Sequence, residues 1–167
     1  MNKLIKLLAQ YASYHRDRRN ILTHLFGIPM IVLSIIVLLA RPTLFEVGDI
    51  AINPGTVAAL ALSVYYLLLD VKLGAVMTAL LALGLAAALQ TTPLSTGLWL
   101  GLGVGLFVLG WALQFLGHHY EGRKPAFVDD VIGLVIGPLF VLAEAAFMLG
   151  LRKDVESAIE QKVGPTH

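Results

Sequence analysis

Residues 21–40 read ILTHLFGIPMIVLSIIVLLA, and this stretch decides the fold. His24 is its sole ionisable side chain, and the run stops at Arg41-Pro42. At 1.5 Å per residue a helix of that length reaches about 30 Å, the thickness of a bilayer's hydrocarbon core. Lipid offers the backbone no hydrogen-bond partners, so a segment that crosses it must be helical. Four more apolar segments follow, at 55–69, 73–90, 97–116 and 126–151. The first of these, after Asn53-Pro54, is short for a span, and the next ends before Thr91-Thr92-Pro93.

The composition agrees with a membrane protein. Hydrophobic residues make up 57% of the chain and charged residues 14%, with a mean hydropathy of +0.80. A soluble domain carries roughly 25% charged residues, so the apolar surplus here must face lipid. The 16 glycines suit helices that pack closely in a membrane. A net charge of +1 gives no reason to expect a nucleic-acid partner, and the lack of cysteine excludes disulfides, thiolate metal sites and cysteine nucleophiles. The opening MNKLIKLLAQYASYHRDRRN has too short an apolar run for a signal peptide, with charges where a cleavage site should lie. Leu4, Leu7, Leu8 and Tyr11 recur at helical spacing beside Lys3 and Lys6, the pattern of an interfacial amphipathic helix. The expected architecture is all-α: a polytopic transmembrane helical bundle of four to five spans forming one domain. Residues 1–20 are the interfacial helix, 21–151 the bundle and 152–167 a polar tail containing His167.

Parity then places the chemistry. Four crossings after residue 20 the chain returns to its starting side near Gly117, so residues before the first span and after the fourth share a membrane face. That face carries Lys3, Lys6, Arg16, Arg18, Arg19, Lys72, Arg123 and Lys124; the other carries Arg41 and, if the last segment crosses, Arg152, Lys153 and Lys162. Eight against four makes the first face cytoplasmic. Gly137-Pro138 lies near the middle of the last segment and leaves a second path open, in which the segment turns back and the bias becomes eleven against one.

Apart from His167, every histidine falls at the boundary of that first face: His15, His24, His118 and His119. In YHRDRRNILTHLFGIP, Asn20 and His24 are one helical turn apart, whereas His15 and His24 are half a turn out of phase. They reach one ion only if the chain bends near residues 18–20. In QFLGHHYEGRKPAF, Gln114 and His118 are i,i+4 and His118 and Glu121 are i,i+3. Imidazole with oxygen ligands suits iron(II), manganese or zinc. Tyr14, Asn20 and Gln114 are placed to orient the ligands. Any one histidine here is also at home simply as an interfacial side chain; together they point to a metal site. The arginine run 16–19, and Arg123 with Lys124, either anchor to headgroups or hold a substrate carboxylate. Glu144, inside the last segment, must be paired, protonated or functional, and it approaches the histidines only if that segment folds back. Asp129 and Asp130 are expected to cap the last helix.

At the two histidine clusters the sequence resembles the small polytopic 2-hydroxy-fatty-acid dioxygenases of bacteria and the fungal endoplasmic reticulum, which act in alpha-oxidation. The resemblance covers nearly the whole chain. It rests on His15, Asn20, His24, Pro29, Gln114, Gly117, His118, Glu121, Pro125 and Ala126. It implies an Fe(II)-dependent dioxygenase that uses O₂ to shorten a 2-hydroxy fatty acid by one carbon. His15, His24 and His118 would be iron ligands. His119, where the family pattern has no fixed histidine, is a candidate fourth. Arg19, Arg123 or Lys124 would neutralise the substrate carboxylate, and Glu121 would act as ligand, base or orienting group. The expected location is a bacterial inner membrane, with the histidines on its cytoplasmic face. The rival readings are a zinc-dependent membrane lipid hydrolase and a non-enzymatic lipid-binding protein.

Overall fold

The structure is a computed structural model that describes residues 2–48, 50–125 and 131–167. The expected start of the last apolar segment and the two expected caps, Asp129 and Asp130, lie outside the described residues. The elements are α1 (Lys3–Ala12), α2 (Arg18–Ala40), β1 (Phe45–Val47), β2 (Ile50–Ile52), α3 (Pro54–Leu69), α4 (Val71–Leu89), α5 (Thr96–Glu121), α6 (Gly133–Met148) and α7 (Lys153–Val163). Contacts divide the chain into two units: the residues up to Pro29 with Gly110–His167, and Met30–Leu109.

In the Met30–Leu109 unit, α3 and α4 pack as a hairpin about a single residue, Asp70, whose carboxylate caps α4 by accepting from the Leu73 amide at 2.8 Å. Asn53 caps α3 in the same way, through the Thr56 amide at 2.8 Å, and Pro54 fits the first helical position. A β-carbon on Gly74 would stand 2.6 Å from the Leu67 amide, so only glycine admits this tight turn. The Ser34 hydroxyl donates to Gly103 O at 2.7 Å and the Trp99 indole to Val37 O at 3.0 Å. The Arg41 guanidinium lies over Trp99, 4.9 Å from the ring centre. The outward side chains are large and apolar: Leu60 is 64% exposed, Leu83 66% and Leu68 81%. That belt would be untenable in water and matches acyl chains. Helices α2, α4 and α5 are long and apolar enough to cross a membrane, and α3 is a shorter apolar helix. The chain is an all-α integral membrane protein. The hairpin of β1, exposed along its length, and β2, pairing Phe45 with Ile52, was not expected.

In the other unit, α1 turns Leu4, Leu8, Ala9, Tyr11 and Ala12 inward, and α6 and α7 cover that face. Its apolar stripe therefore meets protein. The last apolar segment does not run on as one straight helix. α6 continues through Pro138 and ends at Met148, and α7 leaves it at 111° after a break in which Gly150 and Arg152 take positive φ. The start of α6 lies beside α1, where Ile132, Gly133 and Ile136 share a cleft with Leu7 and Tyr11. Its end lies beside the start of α2, where Glu144, Phe147 and Met148 share a cavity with Arg18, Ile21 and Leu22. Both ends thus stay at the corner between α1 and α2. Residues 152–167, expected as a polar tail, form α7 and an extended segment packed on that corner, with Val155 and Ile159 buried.

Candidate metal centre

Helix α1 stops at Ala12, and the turn between α1 and α2 supplies the bend that His15 and His24 require. The His15 amide donates to Ala12 O at 3.0 Å, which tightens the turn and swings the imidazole inward. Its Nδ1 donates to Tyr11 O at 2.8 Å, and its ring stacks on Tyr11 at 4.3 Å between centroids, with planes 2° apart. Phe140 of α6 lies 5.5 Å away on the same side. His24 is one turn inside α2, and its Nδ1 donates to Asn20 O at 2.9 Å. His118, three residues before the end of α5, completes a triangle of rings. The centroids are 4.5 Å apart for His15 and His24, and 5.0 Å from each of these to His118. All three are buried, and one ring nitrogen of each lies within 4.8 Å of the others.

Carbonyl acceptors hold the protons of His15 and His24 on Nδ1, leaving lone pairs on both Nε2 atoms. Those Nε2 atoms face each other at 3.1 Å. Two lone pairs so placed repel unless a cation lies between them. Burial, with the His24 ring beside it, pushes His15 well below its ordinary pKa, so the imidazole is neutral and ready to ligate. Three further buried polar atoms here have no hydrogen-bond partner among the described residues: His118 Nδ1, Asn20 Oδ1 and Gln114 Nε2. The donor set therefore fits a divalent first-row metal.

Small residues let α2 and α5 come this close. A β-carbon on Gly117 would strike Thr23 Oγ1 and Asn20 Oδ1 and stand 3.1 Å from His24 Nδ1. One on Gly27 would strike Gln114 and stand 2.9 Å from Gly110 O. Glu121, one turn past His118, reaches across to the corner. Its oxygens accept from the Arg16 amide at 2.9 and 3.0 Å, from the Asp17 amide at 2.9 Å and from Asn20 Nδ2 at 2.9 Å. The carboxylate thus caps the exposed amides at the start of α2 and ties them to α5.

The remaining expected residues lie outside the triangle. His119 is exposed beside Tyr120, because the next position on a helix points about 100° away. Arg19 is exposed, pairs with Asp17 at 2.7 Å and covers the Tyr120 ring at 4.8 Å. Its hydrogen bonds hold the Asp17 carboxyl down at about 2. Arg123 donates to Ser13 O at 2.9 Å, which pins the end of α5 to the end of α1. Tyr14 contributes its carbonyl to Asn20 Nδ2 at 3.4 Å, and its side chain lines the cleft beside α6. Two residues gain importance that the sequence alone did not convey. Tyr11 was readable only as part of an apolar stripe, although its i−4 spacing to His15 marks it. Phe140 has no local signal at all.

The family model described as 2-hydroxy-palmitic acid dioxygenase Mpo1-like matches residues 1–149. The 2-hydroxy-palmitic acid dioxygenase MPO1 of Saccharomyces cerevisiae is 30% identical over 155 residues, which span 92% of this chain and 85% of the yeast protein. No solved structure matches the chain.

Proposed function

Since the chain belongs to the Mpo1-like family, we propose that it is an iron(II)-dependent dioxygenase that takes a 2-hydroxy fatty acid through alpha-oxidation to a product one carbon shorter. The observation that carries this is the pair of His15 and His24 Nε2 atoms facing each other at 3.1 Å, with His118 closing the triangle. His15, His24 and His118 would hold the iron, and His119 stands apart. Bound iron would supply the activation of O₂ that side chains cannot perform.

The chain's own residues do the rest. Tyr11 and Asn20 fix the tautomers of His15 and His24 through their carbonyls. Phe140 and Tyr11 wall the His15 ring from water. Asn20 and Gln114 keep unsatisfied polar atoms beside the histidines, suited to a hydroxyl or carboxyl group of a substrate. A cavity of about 290 Å³ between the start of α2 and the end of α6 has an apolar wall of Ile21, Leu22, Phe147 and Met148 and a polar one of Arg18, Glu144, Glu156 and Thr166, an amphipathic lining that supports placing a fatty acid there. Because α7 packs on α1, Arg152, Lys153 and Lys162 join Lys3, Lys6 and the arginine run 16–19 beside the histidines, which supports a cytoplasmic face for the site.

The test is anaerobic loading of the purified protein with Fe(II), then admission of air with 2-hydroxypalmitate and mass spectrometry of the lipid. A product one carbon shorter, with O₂ uptake, is expected. Conversion that runs on zinc without O₂ would replace this reading with a hydrolase. No conversion with any metal would leave a lipid-binding protein.

A further inference from the structure

Arg16 follows His15 directly, yet its side chain turns away from the three rings and is buried, at 8% exposure. Its Nε donates to Ala12 O and His15 O, each at 3.0 Å. Nη1 donates to Gly164 O at 2.7 Å, and Nη2 lies 3.7 Å from Glu144 Oε1. The main chain of Arg16 is held as tightly, because its amide is bound by Glu121 and its carbonyl accepts from the His167 amide at 3.0 Å. The amide of Arg18 in turn donates to His167 O at 3.0 Å. Residues 164–167 therefore run as an extended segment alongside residues 16–18, tied there by His167 and launched by Gly164, which ends α7 at φ +82°. A side chain at that φ is strained, so the departure angle depends on glycine.

The consequence falls on His15. Unlike His24 and His118, it stands in a turn, with no helix of its own to fix its backbone. The torsions that aim its ring are set by Tyr11 O on one side and by the bonds of Arg16 on the other. We propose that Arg16 and residues 164–167 form a clamp that holds the His15 imidazole in place to bind the metal, with Arg16 as the positioning residue. The clamp lies partly beyond the residues matched by the family model, which end at 149. It rests on the reading that the three histidines hold a metal. An arginine suits this task because its planar fork reaches four acceptors in fixed directions, whereas a lysine's point charge does not.

The test is Fe(II) affinity, measured anaerobically against a competing chelator on the detergent-solubilised full chain and its variants. The variants are a chain lacking residues 164–167, Arg16→Ala, Arg16→Lys, Gly164→Ala and His24→Ala. The metal-free melting temperature is recorded for each. Deletion and Arg16→Ala should weaken Fe(II) binding about 10–100-fold, the usual effect of losing the support behind a ligand, with little change in metal-free melting. Arg16→Lys should recover part of the loss. Should the deleted chain fail to fold, Arg16→Lys and Gly164→Ala decide. Fe(II) binding as tight as the unaltered protein's in the folded variants overturns the clamp. If His24→Ala also binds iron normally, the three-histidine reading falls and takes the clamp with it. If only His24→Ala loses iron, the reading stands and the clamp alone fails.

Discussion

Asn20 shows how much one buried side chain can organise. Its carbonyl receives His24 Nδ1, its amide nitrogen binds Glu121, and its Oδ1 faces Gly117. The i,i+4 relation to His24 was legible in the sequence, because helical spacing alone puts the two on one face. The bond to Glu121 was not, because it joins residues a hundred positions apart and depends on how two helices approach. Glu121 was likewise legible as a partner of His118, but its carboxylate turns to backbone amides. Glu121→Gln should keep the shape while removing a charge-assisted bond, lowering stability by about 1.5–3 kcal/mol in a denaturation series. His24→Ala and His118→Ala should each abolish metal retention as read by elemental analysis, whereas His119→Ala should retain it. Loss of iron from His119→Ala at an unchanged fold would restore that residue as a ligand.

Among the elements, the apolar spans were readable by length and hydropathy, and their ends were less so. α5 runs to Glu121, several residues past the apolar stretch, because nothing before Gly122 breaks the helix and His118 faces protein. The strands β1 and β2 escaped notice since three residues each are too short a run to read, and those of β1 are all exposed. The proline at 138 drew attention as the site of a break, yet the chain bends at 149–152, where Gly150 and Arg152 take the left-handed conformation. The contact between α2 and α5 depends on Gly117. Gly117→Ala should cost about 1–3 kcal/mol by forcing Thr23 and Asn20 aside, and should weaken metal binding as well. Equal stability and equal metal content would show that the helices can part without harm.

At the scale of the molecule, parity of crossings brought residues 15, 24 and 118 to one face on paper, and the rings are found within 5.0 Å of one another. What parity could not say was where the last segment goes; α6 and α7 both pack on α1. The lack of cysteine makes the orientation easy to check. Single variants Lys6→Cys, Lys162→Cys and Glu46→Cys, probed with an impermeant thiol reagent on intact cells, should label only at position 46. Labelling at 162 from outside would mean that α7 lies across the membrane from the proposed site.

The three imidazoles also come from distant parts of the chain: two lie before residue 25 and the third more than ninety residues later. A ribosome therefore delivers His15 and His24 long before His118 exists, and the α3–α4 hairpin must enter the bilayer in between. A nascent chain at that stage would offer a metal two of these nitrogens at most. Filling of the proposed site would thus wait until His118 has emerged, and an arrested translation product would carry an incomplete set of donors.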